Sequence, residues 1–166
     1  LNKDYYFFFT KHLVFTFLAM YSPNNINLVQ IIRLLKRNYP MLLIDGVTHV
    51  EPGIACQAFK NLTYNEWFFP AHFEGHPIMP GSLQIEAFTQ ATAIALLHTS
   101  TQKMEKKIPI LLAGVDKARF YGEISPGMRL DMHIKVVKVA MGIATAKAIG
   151  EVENQKVSEC QITYKI

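Results

Sequence analysis

The sequence predicts an α+β fold in which a curved antiparallel sheet wraps around one long buried helix. Three observations carry this. The stretch from Ser82 to about His98 contains neither glycine nor proline, the last third of the chain alternates apolar and polar residues, and short turn signals separate the alternating runs.

Half of the 166 residues are apolar and 18% are charged. That is enough for one sizeable core, and it excludes a disordered chain or a nucleic-acid-binding tail. A net charge of +4 is far from a nucleic-acid footprint. The two cysteines, Cys56 and Cys160, form neither a disulfide scaffold nor a zinc motif and read as reduced, buried, small apolar side chains. Residues 1–20 stand apart as an apolar extension outside the fold, rich in aromatics from Tyr5 to Phe9. Thr10, Lys11 and His12 interrupt it, so no run reaches the ~18–20 residues needed to span a bilayer. A signal peptide is the competing reading, weakened by Phe17 two positions before Ala19, where a small residue is expected. Residues 21–166 read as a single domain with no internal repeat.

Along that domain, Ile26, Val29, Ile31, Ile32, Leu34 and Leu35 predict a short amphipathic helix over 26–35, with Lys36 and Arg37 at its C-terminal end. Pro40 ends it, and Met41 to Ile44 begin an apolar strand-like run. Pro52-Gly53 marks a turn before a second strand, about Ile54 to Asn61. Residues 65–81 hold Pro70, Gly75, Pro77, Pro80 and Gly81, too many breakers for regular structure. The long helix follows, strengthened by Ala87, Ala91, Ala93 and Ala95. Leu83, Ile85, Phe88, Ile94, Leu96 and Leu97 make it apolar over most of its circumference, so it should be buried on most sides. Thr99 to Lys107 reads as a polar loop. Leu130, Met132, Ile134 and Val136 then alternate with polar residues, and Val157, Cys160, Ile162, Tyr164 and Ile166 keep a similar period. Turns fall at Pro126-Gly127, Gly142 and Glu153-Asn154.

The breaker-rich loop and the helix start carry the chemistry. His72 sits on a loop stiffened by prolines, which holds an imidazole in place at little entropic cost. Gly81 falls at the helix N-terminus, where free backbone N–H groups and the helix dipole favour a developing oxyanion. Glu86 lies about one turn further along an apolar helix, where desolvation favours the protonated carboxyl that a general acid needs. Gln90, at i+4 from Glu86, is placed to satisfy and orient that carboxyl. The bland alternative makes His72 an ordinary loop histidine and Glu86 a carboxylate satisfied by Gln90. A metal reading of His72, Glu74 and His76 is disfavoured, because Gly75 and Pro77 break any helix that would align them. Ser82 reads as a helix cap, since the glycine pattern of a nucleophile elbow is missing around it.

The run from His72 through Gly75, His76-Pro77-Ile78-Met79-Pro80-Gly81-Ser82-Leu83 to Glu86-Ala87 and Gln90 resembles the pattern GHFPGxPIxPGVLxxEAMAQ. That pattern belongs to the 3-hydroxyacyl-acyl-carrier-protein dehydratases of bacterial fatty acid synthesis, the FabZ type. Tyr39-Pro40-Met41-Leu42-Leu43-Ile44-Asp45 resembles the family's YPFLLID. Leu112 to Phe120 resembles its FAGIDKARF, and Pro126-Gly127 fits the turn that follows. The resemblance spans roughly residues 26–166.

It implies a hotdog fold, assembled as a homodimer or a trimer of dimers with the active site at the dimer interface, and neither cofactor nor metal. His72 would remove the C2 proton, Glu86 supplied by the partner subunit would protonate the departing hydroxyl, and the Gly81 N–H would polarise the thioester carbonyl. Ile78, Met79 and Phe88 would line the acyl tunnel. The implied substrate is a 3-hydroxyacyl chain on the phosphopantetheine of an acyl carrier protein in the cytoplasm. The chain departs from the pattern at Arg37-Asn38 (usually His-Arg), at Tyr121-Gly122 (usually a basic pair), at Glu74, and at Ser82 and Gln84. These departures leave acyl length and pathway open, with a polyketide or secondary-lipid route among the readings. Related alternatives are a dehydratase–isomerase that makes a cis-3 olefin and a hotdog thioesterase. An inactive acyl- or carrier-binding module using Arg33, Lys36, Arg37, Lys117 and Arg119 is the non-enzymatic one.

Overall fold

A computed structural model describes residues 25–98 and 110–166; the 1–20 extension and the 99–107 loop of the sequence reading lie outside those residues. The first helix, α1 (Leu28–Leu35), starts two residues later than its apolar pattern suggests. Asn27 and Gln30 explain the start: each side chain accepts from the other's backbone N–H, a capping box that satisfies donors left orphaned at a helix start. Ile26 instead joins an antiparallel bridge to Val47. At the other end Lys36 adopts a left-handed conformation, and its N–H closes on the Ile32 carbonyl.

Six antiparallel strands follow: β1 (Gly46–Glu51), β2 (Ala55–Asn61), β3 (Leu111–Phe120), β4 (Arg129–Ala140), β5 (Ile143–Val152) and β6 (Gln155–Lys165). They form one sheet in the order β1-β2-β4-β5-β6-β3. The ladders shift register within β1, β3, β4 and β5. Such bulges bend and twist a strand, which curls the sheet. Helix α2 (Gly81–Leu97) lies on the concave side, chiefly across β2 and β4, with α1 against its flank. This is the hotdog arrangement, with the expected long helix at its centre.

Burial follows the period-two pattern. Leu130, Met132 and Ile134 of β4, Ala144, Ala146 and Ala148 of β5, and Cys160, Ile162 and Tyr164 of β6 all face inward. On α2, Ala87, Phe88, Ala91, Ile94 and Ala95 are fully buried. Thr89, Gln90 and Thr92 are buried with them, so the helix is enclosed on most of its circumference, as its composition predicts. Both cysteines are free and buried, and burial pushes their thiols up to about 12 for Cys56 and about 11 for Cys160.

One element is a correction. Met41–Ile44 is not a strand; regular pairing begins only at Gly46. Leu43 and Ile44 are buried as an apolar run should be, but the Leu43 N–H and the Met41 carbonyl bond to the Gln90 side chain instead of a neighbouring strand. Periodicity reports burial, and a side chain from elsewhere in the chain took the place of a ladder.

Gly150 lies at a close contact between the helix and the sheet. A Cβ on Gly150 of β5 would lie 2.6 Å from Ser158 Oγ, 2.8 Å from Phe88 Cζ and 3.0 Å from Leu130 Cδ1. Gly150→Ala should therefore overpack the helix–sheet contact and lower stability by about 1–3 kcal/mol in urea unfolding. Unchanged stability would mean that Phe88 and Leu130 yield freely.

Candidate active site

The loop between β2 and α2 presents His72. Phe68 and Phe69 are each 1% exposed and pin one side of it, and a 3₁₀ turn over Phe69–Ala71 delivers the chain to the histidine. On the other side Met79 is buried, and its N–H donates to the Ile124 carbonyl at 2.8 Å. Between these anchors the Ile78 N–H donates to the His72 carbonyl at 2.8 Å, while His72 Nδ1 lies 3.1 Å from the Ile78 carbonyl. A carbonyl only accepts, so Nδ1 carries the hydrogen in this contact. In the neutral ring Nε2 then keeps the lone pair, on a side chain that is half-buried. The rings of His72 and Phe73 lie with centroids 3.9 Å apart.

His76 turns elsewhere, pairing with the exposed Glu123 at 2.9 Å. Among the described residues no group of three or more His, Cys, Asp or Glu side chains gathers as metal ligands would.

Helix α2 begins at Gly81 with Pro80 as its N-cap. The Leu83 and Gln84 N–H groups both reach the Pro80 carbonyl, at 3.0 and 3.1 Å. Helix geometry leaves the Gly81 and Ser82 N–H groups with no intrahelical acceptor. Ser82 makes no side-chain cap and is exposed, which corrects its reading as the capping residue. Gly81 has a packing reason besides any chemical one: a Cβ there would lie 2.7 Å from Cζ of Phe120 on β3.

Glu86 follows about one and a half turns in. Its Oε1 accepts from Gln90 Nε2 at 2.9 Å, and the Thr89 hydroxyl donates to the Glu86 carbonyl at 2.8 Å. The expected i+4 pair is therefore present. Gln90 does more than the spacing suggests: its amide also donates to the Met41 carbonyl at 2.6 Å and accepts from the Leu43 N–H at 2.9 Å.

Two neighbours were missed. Arg37 NH1 stands 3.9 Å from Glu86 Oε1, and the Glu86 side chain is 23% exposed, so the carboxyl's surroundings are less apolar than the helix composition suggests. Tyr164 of β6 donates to the Thr89 carbonyl at 2.8 Å, and burial pushes its phenol up to about 12. Only the three-dimensional pairing of α1 and β6 with α2 brings these groups in, and no spacing rule along the chain signals it.

Arg37, Gln90 and Tyr164 border a cavity of about 290 Å³ whose apolar walls come from Leu34, Leu35, Ala93, Leu97 and Ile110. It is not lined by Ile78, Met79 or Phe88. In the single chain Met79 and Phe88 are core residues, and Ile78 is half-buried beside His72. The fold thus sets His72, Gly81 and the Glu86–Gln90 pair at the two ends of one loop-to-helix segment.

Comparison with known proteins places the chain in a family. A family model described as a FabA-like domain matches residues 35–161. The 3-hydroxyacyl-[acyl-carrier-protein] dehydratase FabZ of Clostridium tetani is 42% identical over 142 residues, covering 86% of this chain and 98% of that protein. The protein of the same description from Wolbachia is 39% identical over 137 residues, covering 82% and 94%. The one from Myxococcus xanthus is 42% identical over 130 residues, covering 78% and 84%. Among solved structures, the dehydratase heterocomplex ApeI:P from Xenorhabdus doucetiae superposes with a TM-score of 0.70 at 16% identity, over 81% of this chain and 89% of that one, a likeness of fold alone. The chain belongs to the FabA-like hotdog family, among its FabZ-type dehydratases.

Proposed function

We propose that this enzyme dehydrates 3-hydroxyacyl thioesters carried on acyl carrier protein to trans-2-enoyl thioesters in fatty acid biosynthesis, the activity that its relatives' names state. The observation that carries the residue assignment is the pairing of a histidine with Nε2 free, on a braced loop, with a helix that opens on unpaired N–H groups and holds a hydrogen-bonded carboxyl.

In this reading the substrate carbonyl accepts from the Gly81 N–H, which acidifies the C2 proton. His72 Nε2 removes that proton, the C2=C3 double bond forms, and the C3–O bond breaks as Glu86 donates a proton to the departing hydroxyl. Water leaves, and proton return from His72 to Glu86 resets the site. Gln90 positions Glu86 and is tied in turn to the Met41–Leu43 backbone. No residue in the scheme calls for a metal or cofactor. The cavity beside Gln90 is of mixed lining, with Leu34, Leu35, Ala93, Leu97 and Ile110 on its apolar side and Lys36, Arg37, Thr89 and Tyr164 on its polar side, and Ile78 beside His72 stays the tunnel contact nearest the base. Met79 and Phe88 would set the tunnel floor from within the core.

The active unit in this proposal is a homodimer, alone or in a trimer of dimers, with His72 of one chain facing Glu86 of the partner subunit. Strand β3 supports it. It ends the sheet, is exposed along most of its ten residues, and shows Leu111, Leu112 and Phe120 to solvent. A long apolar edge strand of this kind is normally covered. Because the Phe120 ring also stands over Gly81, a seam along β3 would bring the partner to the N-terminus of α2. Among the described residues no helix is long and apolar enough to cross a membrane. The proposed site of action is the cytoplasm, with residues 1–20 outside the catalytic domain.

Purified protein given a 3-hydroxyacyl thioester of acyl carrier protein should produce the absorbance of a conjugated enoyl thioester. Binding without product would sink the assignment. His72→Ala and Glu86→Ala should each lose activity by at least about a hundredfold. Unfolding and refolding these two inactive variants together should restore roughly a quarter of the wild-type activity, because half of the dimers are mixed and each mixed dimer holds one intact site. No recovery would show that both groups act within one chain.

A separate expectation concerns Gln90. Gln90→Glu sets a second carboxyl against Glu86 and the Met41 carbonyl, so it should lower kcat and cost about 1–3 kcal/mol in denaturant unfolding. Wild-type kcat in this variant would remove Gln90 from the positioning role.

A further inference from the structure

Lys60 is the one fully buried charged side chain among the described residues, at 6% exposure. It shares the inward face of β2 with Cys56 and Ala58, where alternation calls for an apolar residue. A buried ammonium persists only when paired and hydrogen-bonded. Its Nζ lies 3.1 and 3.4 Å from the two carboxylate oxygens of Asp45 and in direct contact with Glu66 Oε1. Asp45 Oδ2 also accepts from the Asn61 N–H at 2.7 Å.

The two carboxylates come from different segments. Asp45 closes the 41–45 stretch that Gln90 holds through Met41 and Leu43. Glu66 opens the path to His72: its carbonyl accepts from the Phe69 N–H at 3.2 Å, and the Phe69 carbonyl accepts from the His72 N–H at 3.3 Å. The chain between them is the 3₁₀ turn, with Phe68 and Phe69 sunk in the core. An ion pair at Glu66 therefore sets where that turn begins, and the turn sets where the imidazole stands.

We infer that Lys60, acting through Glu66, is a positioning residue for His72, with Asp45 completing the charge balance around the buried ammonium. The inference rests on the proposed role of His72 as the base. Lys60 touches no reacting atom; it fixes the distance from the sheet to the loop that carries one.

The test uses Glu66→Ala, Glu66→Gln and Glu66→Asp in the full-length protein. Glu66→Ala should lower kcat by on the order of tenfold or more while KM stays within about twofold, the pattern expected when a reacting group shifts but substrate contacts remain. Glu66→Gln keeps an oxygen facing Nζ and should recover most of that loss. In protein labelled with ¹⁵N at histidine, the Nδ1 signal of His72 should move in Glu66→Ala and return in Glu66→Gln, while those of His49 and His133 on the sheet stay in place. A purely structural role would lower the melting temperature and leave kcat and the His72 signal unchanged, which overturns the inference. If the alanine variant does not fold, Glu66→Asp decides in the same way, since it keeps the charge but shortens the arm. The NMR arm is independent of turnover. A wild-type protein with no dehydratase activity would defeat the functional proposal, whereas an unmoved His72 signal defeats this inference alone.

Discussion

The arrangement around the helix depends on one buried amide. Gln90 is 2% exposed, yet its side chain accepts from the Leu43 N–H and donates to the Met41 carbonyl and to Glu86. Without it, the non-repetitive 41–44 run would bury backbone polar groups with no ladder to receive them, and such groups are costly to leave unpaired. With it, Leu43 and Ile44 pack as core while the run remains irregular. The same amide holds a carboxyl on a helix that is otherwise enclosed, so closing the core and placing the acid are a single event in the fold.

A second constraint acts at the helix start. The Phe120 ring lies where a Gly81 side chain would be, so the backbone N–H groups of the first turn come close to β3 without a Cβ between them. Pro80 supplies the cap carbonyl for Leu83 and Gln84 and leaves Gly81 and Ser82 free. The Gly81 N–H is free by position, since a cap side chain accepts only from the second or third helical residue; the missing side-chain cap leaves the Ser82 N–H free as well.

Much of this was legible in the sequence because it is local. The breaker-free run predicted α2, the alternation around Met132 and Ile162 predicted inward faces, and spacing alone put Gln90 beside Glu86. The motif string marked His72, Gly81 and Glu86 for chemistry. What failed is non-local or competitive. Met41–Ile44 looked like a strand because apolar runs look alike whatever pairs their backbone. Ser82 looked like a cap because cap preference is a statement about residue type, while the turn geometry made Pro80 the cap. Arg37 reaches Glu86 only because α1 packs on α2, and the cavity's apolar walls come from residues of α1 and α2 and from Ile110, away from the Ile78, Met79 and Phe88 positions expected to line a tunnel. Lys60 was readable but unread: a lysine in phase with Cys56 and Ala58 on a period-two strand is an inward charge that must have partners.

The buried polar side chains share a logic. Gln90 and Lys60 occupy positions where an apolar residue would pack with less desolvation, and neither is needed to make a helix or a strand. Each instead joins segments distant in sequence: Gln90 joins α2 to the 41–43 run, and Lys60 joins that run's end at Asp45 to the His72 loop at Glu66. The supports of the histidine and of the glutamate therefore meet at one short irregular stretch, residues 41–45. If the two groups serve different active sites of a dimer, that stretch couples the base of one site to the acid of the other. Its departure from regular structure is what allows side chains from both directions to reach its backbone and its terminal carboxylate.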